Sequence, residues 1–231
     1  MPRRGSARPG SEALWPYLSL GWRLAGDARW QWLEGDPRLI GVYDLAGAGP
    51  LPALAQRLRA LHLSTHQPLE QSLRGGTQTD GPLFARADPE IRRLRAAIAG
   101  AVERHVAQLP PARFAPPPIA PAARRAGAFR GLLVGAAGGG RASRRSRPSG
   151  RVVQLGLLCR ASRERRGATA RPAGSRSGEA RALGIDLPPI RTVAPRPGRL
   201  VLFPSTMWHG TRKFPAGERL TVAFDVARPM Q

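Results

Sequence analysis

The stretch IRTVAPRPGRLVLFPSTMWHGTRKFPAGERLTVAFDV, residues 190–226, reads as β-structure with chemistry at its bends. In RLTVAFDV (219–226) the alternation is strict: Leu220, Val222, Phe224 and Val226 fall on one face, and Arg219, Thr221, Ala223 and Asp225 on the other. Residues 190–203 read as two strands around a Pro-Arg-Pro-Gly turn. Between the strands stands His209, held between Trp208 and Gly210, with Arg219 ten residues further on. A neutral imidazole suits a divalent transition metal. A guanidinium offers a planar fork to a carboxylate, and Thr221 shares its strand face, so both can reach one ligand. Spacing alone leaves two readings open: a metal and carboxylate site, or a histidine that closes a strand beside a solvated arginine. One histidine cannot hold a metal by itself.

Working outward, the chain upstream is helical. Residues 12–34 read as a helical pair, with Leu14, Tyr17, Leu18 and Leu24 at helical spacing and Gly26 as the terminating glycine. GVYDL (41–45) is a short strand. Leu51, Leu54, Leu58 and Leu61 form one stripe of a second helix. QSLRGGTQTDGPLF (71–84) is a polar, glycine-rich loop without the Lys-Ser/Thr ending of a phosphate-binding loop. Asp88-Pro89 then opens a long helix in N-cap and N1 order, with Ile91, Leu94, Ile98, Val102, Val106 and Leu109 as its buried stripe. His105 lies one step off that stripe and reads as packing or surface, and His62 and His66 as solvated. The proline-rich stretch 110–122 admits neither a helix nor an inner strand.

The 231 residues are enough for one good core, and no apolar run is long enough to cross a membrane. A basic N-terminus without a signal-peptide apolar run, and a single cysteine, Cys159, lead to the expectation of a cytoplasmic protein without a disulfide framework. The formal charge is +22, carried almost wholly by arginine, with Lys213 the only lysine. Residues 131–177 hold eleven arginines against one acid, Glu164, which is +10 of that total.

Strand, turn, strand, FPSTMWH, loop and ERLTVAFD together resemble the end of the double-stranded β-helix of Fe(II)/2-oxoglutarate oxygenases. They are most similar to those that follow tetratricopeptide repeats in bacterial proteins, which pair this ending with an upstream QSLRGGTQT loop, present here at 71–79. The resemblance spans about residues 13–130 and 181–231. It implies an α+β chain built on a jelly roll with flanking N-terminal helices. Residues 1–38 would be a helical lead-in whose Trp–Leu–Gly pattern resembles a last tetratricopeptide unit, and residues 39–231 the oxygenase domain. It further implies Fe(II) and 2-oxoglutarate as cofactors, His209 as an iron ligand, and Arg219 with Thr221 as the carboxylate grip.

The family carries its first iron ligands on an earlier strand, as His-x-His or His-x-Asp followed by aromatics. In that place this chain has RASRRSRPSGRVVQLGLLCRASRERRG, without histidine, aspartate or aromatic residue. The genetic code offers an account. Read from the second base of each codon, residues 146–162 permit His-Val-His-Pro-Ala-Gly-Trp-Phe-Ser-Ser-Ala-Tyr-Tyr-Val-Ala-Leu-Pro, an unbroken run of seventeen family-like positions. From Gly131 the same shift permits Gly-Ser-Trp-Ser-Val-Arg-Leu. A compensated frameshift would thus have replaced the ligand strand, with 131–180 expected to be disordered or misread. Two alternatives stand beside an oxygenase of unknown substrate: a nucleic-acid-binding protein using the basic tract 141–176, and a non-catalytic scaffold. Against the first, residues 131–202 offer no aromatic on which a base could stack.

Overall fold

A computed structural model describes residues 14–63, 77–78, 82–110, 129–137, 153–160, 175–177, 183–211 and 218–226. Three helices, α1 (Trp15–Leu24), α2 (Leu51–Leu61) and α3 (Pro89–Gln108), precede most of the strands. The strands are β1 (Gly41–Asp44), β2 (Thr77–Gln78), β3 (Phe129–Ala137), β4 (Val153–Arg160), β5 (Ser175–Ser177), β6 (Arg191–Val193), β7 (Arg199–Phe203), β8 (His209–Thr211) and β9 (Glu218–Val226). They form a six-stranded sheet of order β1-β7-β4-β9-β3-β2 and a three-stranded sheet of order β6-β5-β8, with every recorded pairing antiparallel.

Strand periodicity decides what each face of the large sheet meets. Leu200 and Leu202 of β7, with Leu220, Val222, Phe224 and Val226 of β9, join one core with Leu54 and Leu58 of α2 and Ile91, Leu94, Ile98 and Val102 of α3. Several of these are wholly inaccessible, including Leu58, Ile91, Leu94, Ile98 and Val222. Each such burial is worth about 1.5–3 kcal/mol against exposure, so this layer dominates stability. The intervening β7 residues, Val201 and Phe203, face the other way and pack with Ile40, Val193 and Met207. Val193 belongs to β6, so this second cluster fills the space between the two sheets.

The expected β1, α2 and α3 form where the sequence placed them, and His105 is buried as packing, bonded to Tyr43 at 3.0 Å. Several expectations need correction. On α1, Leu14, Tyr17, Leu18 and Leu24 are exposed, whereas Pro16, Ser19 and Leu20 are buried. Helical spacing identifies a face but not which side meets the core. The second member of the helical pair is a π-helical turn, Gln31–Gly35. β6 and β7 flank the Pro-Arg-Pro-Gly turn yet belong to different sheets, so the turn is a crossover between layers. Asp88 stands at the N-cap of α3, but its carboxylate pairs with Arg57 and Arg86 and makes no side-chain cap bond. His62 is half-buried, and desolvation lowers its pKa.

The expectation of disorder across 131–180 is overturned in part, because most of β3 and all of β4 and β5 fall there. A ladder needs backbone donors and acceptors, and the apolar runs GLLVGAA and VQLGLL supply strand-compatible backbone without aromatics. β4 is the inner strand between β7 and β9. His66, most of the 71–84 loop, the proline-rich 111–122 and the basic residues 141–152 and 161–174 lie outside the described residues. No described helix is long and apolar enough to cross a membrane.

Candidate metal and carboxylate site

Directly opposed residues in a ladder point to the same face of a sheet. Gln154 of β4 lies opposite both Phe203 and Asp225, and Leu155 lies opposite both Leu202 and Phe224. Leu202 and Phe224 face the helices, so Phe203 and Asp225 face the small sheet. By alternation along β9, Arg219, Thr221 and Ala223 share that inner face. The sequence-predicted partners Arg219 and Thr221 therefore share the face of β9 that carries Asp225, whose charge acts on His209.

His209 starts β8, next to a tight bend. Met207 N–H donates to the Pro204 carbonyl at 3.0 Å, closing the turn that follows Phe203. The His209 ring then packs on the Phe203 ring, centroids 4.9 Å apart at 49°. Its Nδ1 is 3.0 Å from the Met207 carbonyl oxygen. A carbonyl can only accept, so Nδ1 carries the proton and Nε2 keeps its lone pair. Such an arrangement, with a backbone oxygen fixing the ring from behind, is compatible with a metal ligand. Desolvation pulls its pKa below the ordinary value, partly offset by the Met207 carbonyl and the charge of Asp225. The imidazole is thereby kept neutral, as a ligand must be.

Asp225 was not singled out from sequence as a site residue. Its signal was its place on the Arg219 face of β9, and the structure brings its charge within reach of His209. Arg219 is half-buried by exposure, and desolvation lowers its pKa to about 10. A guanidinium presents a planar fork that matches a carboxylate.

The metal is less well provided for. Among the described residues no three His, Cys, Asp or Glu side chains stand close enough to hold an ion. The donor set thus fits the carboxylate end of 2-oxoglutarate and one position of an iron site, but does not complete that site.

Comparison with known proteins follows the same division. Residues 160–225 match the family described as "Putative 2OG-Fe(II) oxygenase", whose cofactors are Fe(II) and 2-oxoglutarate. No curated protein matches the chain. Among solved structures, a prolyl hydroxylase from Trichoplax adhaerens, in complex with a hypoxia inducible factor peptide, aligns at TM-score 0.56 and 14% identity, covering 90% of this chain and 93% of that one. A prolyl-4-hydroxylase from Pseudomonas putida aligns at TM-score 0.50 and 16% identity, covering 93% of this chain and 100% of that one. A truncated viral collagen prolyl hydroxylase from Paramecium Bursaria Chlorella virus-1 aligns at TM-score 0.52 and 11% identity, covering 100% and 98%. The chain is similar in fold to 2-oxoglutarate/Fe(II) oxygenases along most of its length, and similar in sequence to them over residues 160–225.

Proposed function

We propose that the chain descends from an Fe(II)/2-oxoglutarate oxygenase that hydroxylates its substrate, with His209 as the distal iron ligand and Arg219 and Thr221 as the grip on the far carboxylate of 2-oxoglutarate. What supports this reading is a neutral, backbone-fixed imidazole on β8 that feels the charge of Asp225, and a desolvated guanidinium on the same face of β9 as Asp225. Iron with 2-oxoglutarate supplies oxygen activation in such enzymes. The residues of this chain supply binding and orientation: Arg219 neutralises and aligns the carboxylate, Thr221 adds a hydroxyl, and Phe203 shields the imidazole.

The same reading places the missing ligands in the alternative frame upstream of β4. The shifted run gives histidines at positions 146 and 148, directly before the strand that lies between β7 and β9. It also changes Leu158, which opposes Thr221, to an aromatic. The domain is then a jelly roll whose ligand strand is encoded but not translated. The test is isothermal titration of 2-oxoglutarate, with and without Fe(II), against the chain as it stands and with residues 146–162 restored to the shifted frame. Tight 2-oxoglutarate binding that requires iron in the restored protein supports the reading. Absence of 2-oxoglutarate binding in both sinks it.

A further inference from the structure

Glu34 is the most deeply buried acid among the described residues, 3% exposed, and the carboxylate-grip reading makes no use of it. It sits in the π-helical turn Gln31–Gly35, where Asp36 N–H donates five residues back to the Gln31 carbonyl at 2.9 Å. Such turns are rare and recur at functional sites, because the extra residue turns neighbouring side chains inward together. Here Leu33, Glu34 and Gly35 are all buried. The fit at Gly35 is close: a Cβ there would lie 2.8 Å from Gln31 Oε1 and 3.0 Å from the Trp30 ring.

We propose that Glu34 is a positioning residue for His209, latching the Pro204–Trp208 loop to α1 through Thr206 and Ser19. The carboxyl lies beside the hydroxyls of Ser19, on α1, and Thr206, three residues before His209. Both hydroxyl residues are buried, at 0% and 2% exposure. Neither hydroxyl nor Glu34 Oε1 completes a hydrogen bond of good geometry, so the three groups are in proximity without being fully satisfied. Desolvation lifts the carboxyl to about 7, with Ser19, Thr206 and the charge of Arg23 pulling the other way. A protonated carboxyl can both donate and accept, which suits a place between two hydroxyls.

A second anchor holds the same loop from the other side. Trp208 Nε1 donates to the Pro16 carbonyl at 3.1 Å, and its ring meets Tyr17 edge-on with centroids 5.6 Å apart. Trp208 thus ties the loop to the helical lead-in on one side of Met207, and on the other Thr206 lies beside Glu34. Met207 is itself 1% exposed, and its carbonyl sets the His209 tautomer. Releasing Thr206 would free that carbonyl to turn, and the imidazole with it.

The inference rests on His209 as the metal ligand, but its test needs no metal. Hydrogen exchange at amides 205–211 and the ring-nitrogen NMR shifts of His209 would be measured in the full chain. Glu34→Ala and Thr206→Val should each speed exchange at 205–211 at least tenfold and mix the His209 tautomers, while α3 amides stay unchanged. Glu34→Gln and Thr206→Ser should preserve both readouts. Unchanged exchange and a single tautomer in the disrupting variants would overturn the latch, as would a loss spread equally over α3. Should Glu34→Ala fail to fold, Thr206→Val carries the same test. Loss of the metal reading would show separately, as cobalt(II) binding to the restored-frame protein that is indifferent to His209→Ala.

Discussion

His209 and Met207 are joined by a bond that bridges only two residues, from Nδ1 to the carbonyl oxygen at 3.0 Å. Its consequence is directional. The ring cannot rotate without losing that bond, so the lone pair on Nε2 has a fixed heading. Burial below the ordinary pKa keeps the lone pair available down to mildly acid solution. NMR titration should therefore place the His209 midpoint below 6.5, the value from which it is lowered. A midpoint at or above that value would mean that the pocket does not desolvate the ring.

Glu34 gives the fold a pH dependence of its own. Burial raises its carboxyl from 4.5 to about 7, so the folded chain keeps a proton that the unfolded chain releases above 4.5. Stability falls as pH rises across that window and is level above it. The difference of about 2.5 pH units corresponds to about 3 kcal/mol at most. Urea unfolding of wild type against Glu34→Gln should show the variant gaining relative stability from pH 4.5 to 7 and keeping that gain at pH 8. Parallel curves for the two proteins would rule out this assignment.

Gly41 is fixed by close approach and not by backbone angle. A Cβ at that position would lie 2.5 Å from the Tyr43 ring and 2.6 Å from His105 Nδ1. Those two side chains are bonded to each other at 3.0 Å. Gly41→Ala must push them apart, so it should destabilise by about 1–3 kcal/mol. Tyr43→Phe, which removes the bond and adds no bulk, should cost about 1 kcal/mol. Denaturant midpoints measure both, and an alanine variant as stable as wild type would show that the pair yields freely.

How much of this was legible depended on what each signal encodes. The alternation of 219–226 fixed the buried face of β9, because period two has only one apolar set to offer. The stripe of α3 was equally plain over twenty residues. On α1 the spacing predicted the helix but not its buried side: Leu14, Tyr17, Leu18 and Leu24 stay exposed while Pro16 and Ser19 are buried. His209, Arg219 and Thr221 could be nominated because the stretch around them resembles a known family, whereas spacing alone left their role open. Glu34 was not, because its role comes from contacts with residues 15 positions before it and 172 after it, and no local pattern encodes them.

The coding DNA offers a direct check on the missing ligands. The family-like run in the shifted frame ends at 162, and the family match in the written frame begins at 160. The return to frame should fall between codons 163 and 184, and the departure near codon 131. Resequencing should find one base gained or lost at each place. Confirmed DNA, with the same arginine tract in close relatives, would leave 131–162 as a native segment and remove this explanation.

Arg219 provides the sharpest test of the site itself. Its guanidinium is half-buried and desolvated enough to lower its pKa to about 10, on the face of β9 that it shares with Asp225. If that charge grips a 2-oxoglutarate carboxylate, Arg219→Ala in the restored-frame protein loses a charge-assisted bidentate contact. Such a contact is worth about 1.5–3 kcal/mol, so binding should weaken roughly ten- to a hundredfold. Arg219→Lys should recover only part of the loss, because an ammonium lacks the planar fork. Thr221→Val should cost less than Arg219→Ala, since a neutral hydroxyl contributes about 0.5–1.5 kcal/mol. His209→Ala, by contrast, should abolish turnover in the restored-frame protein. Calorimetry with 2-oxoglutarate measures the first three and 2-oxoglutarate consumption the last. Equal affinities in wild type, Arg219→Ala and Arg219→Lys would show that the buried charge serves the fold and not the ligand.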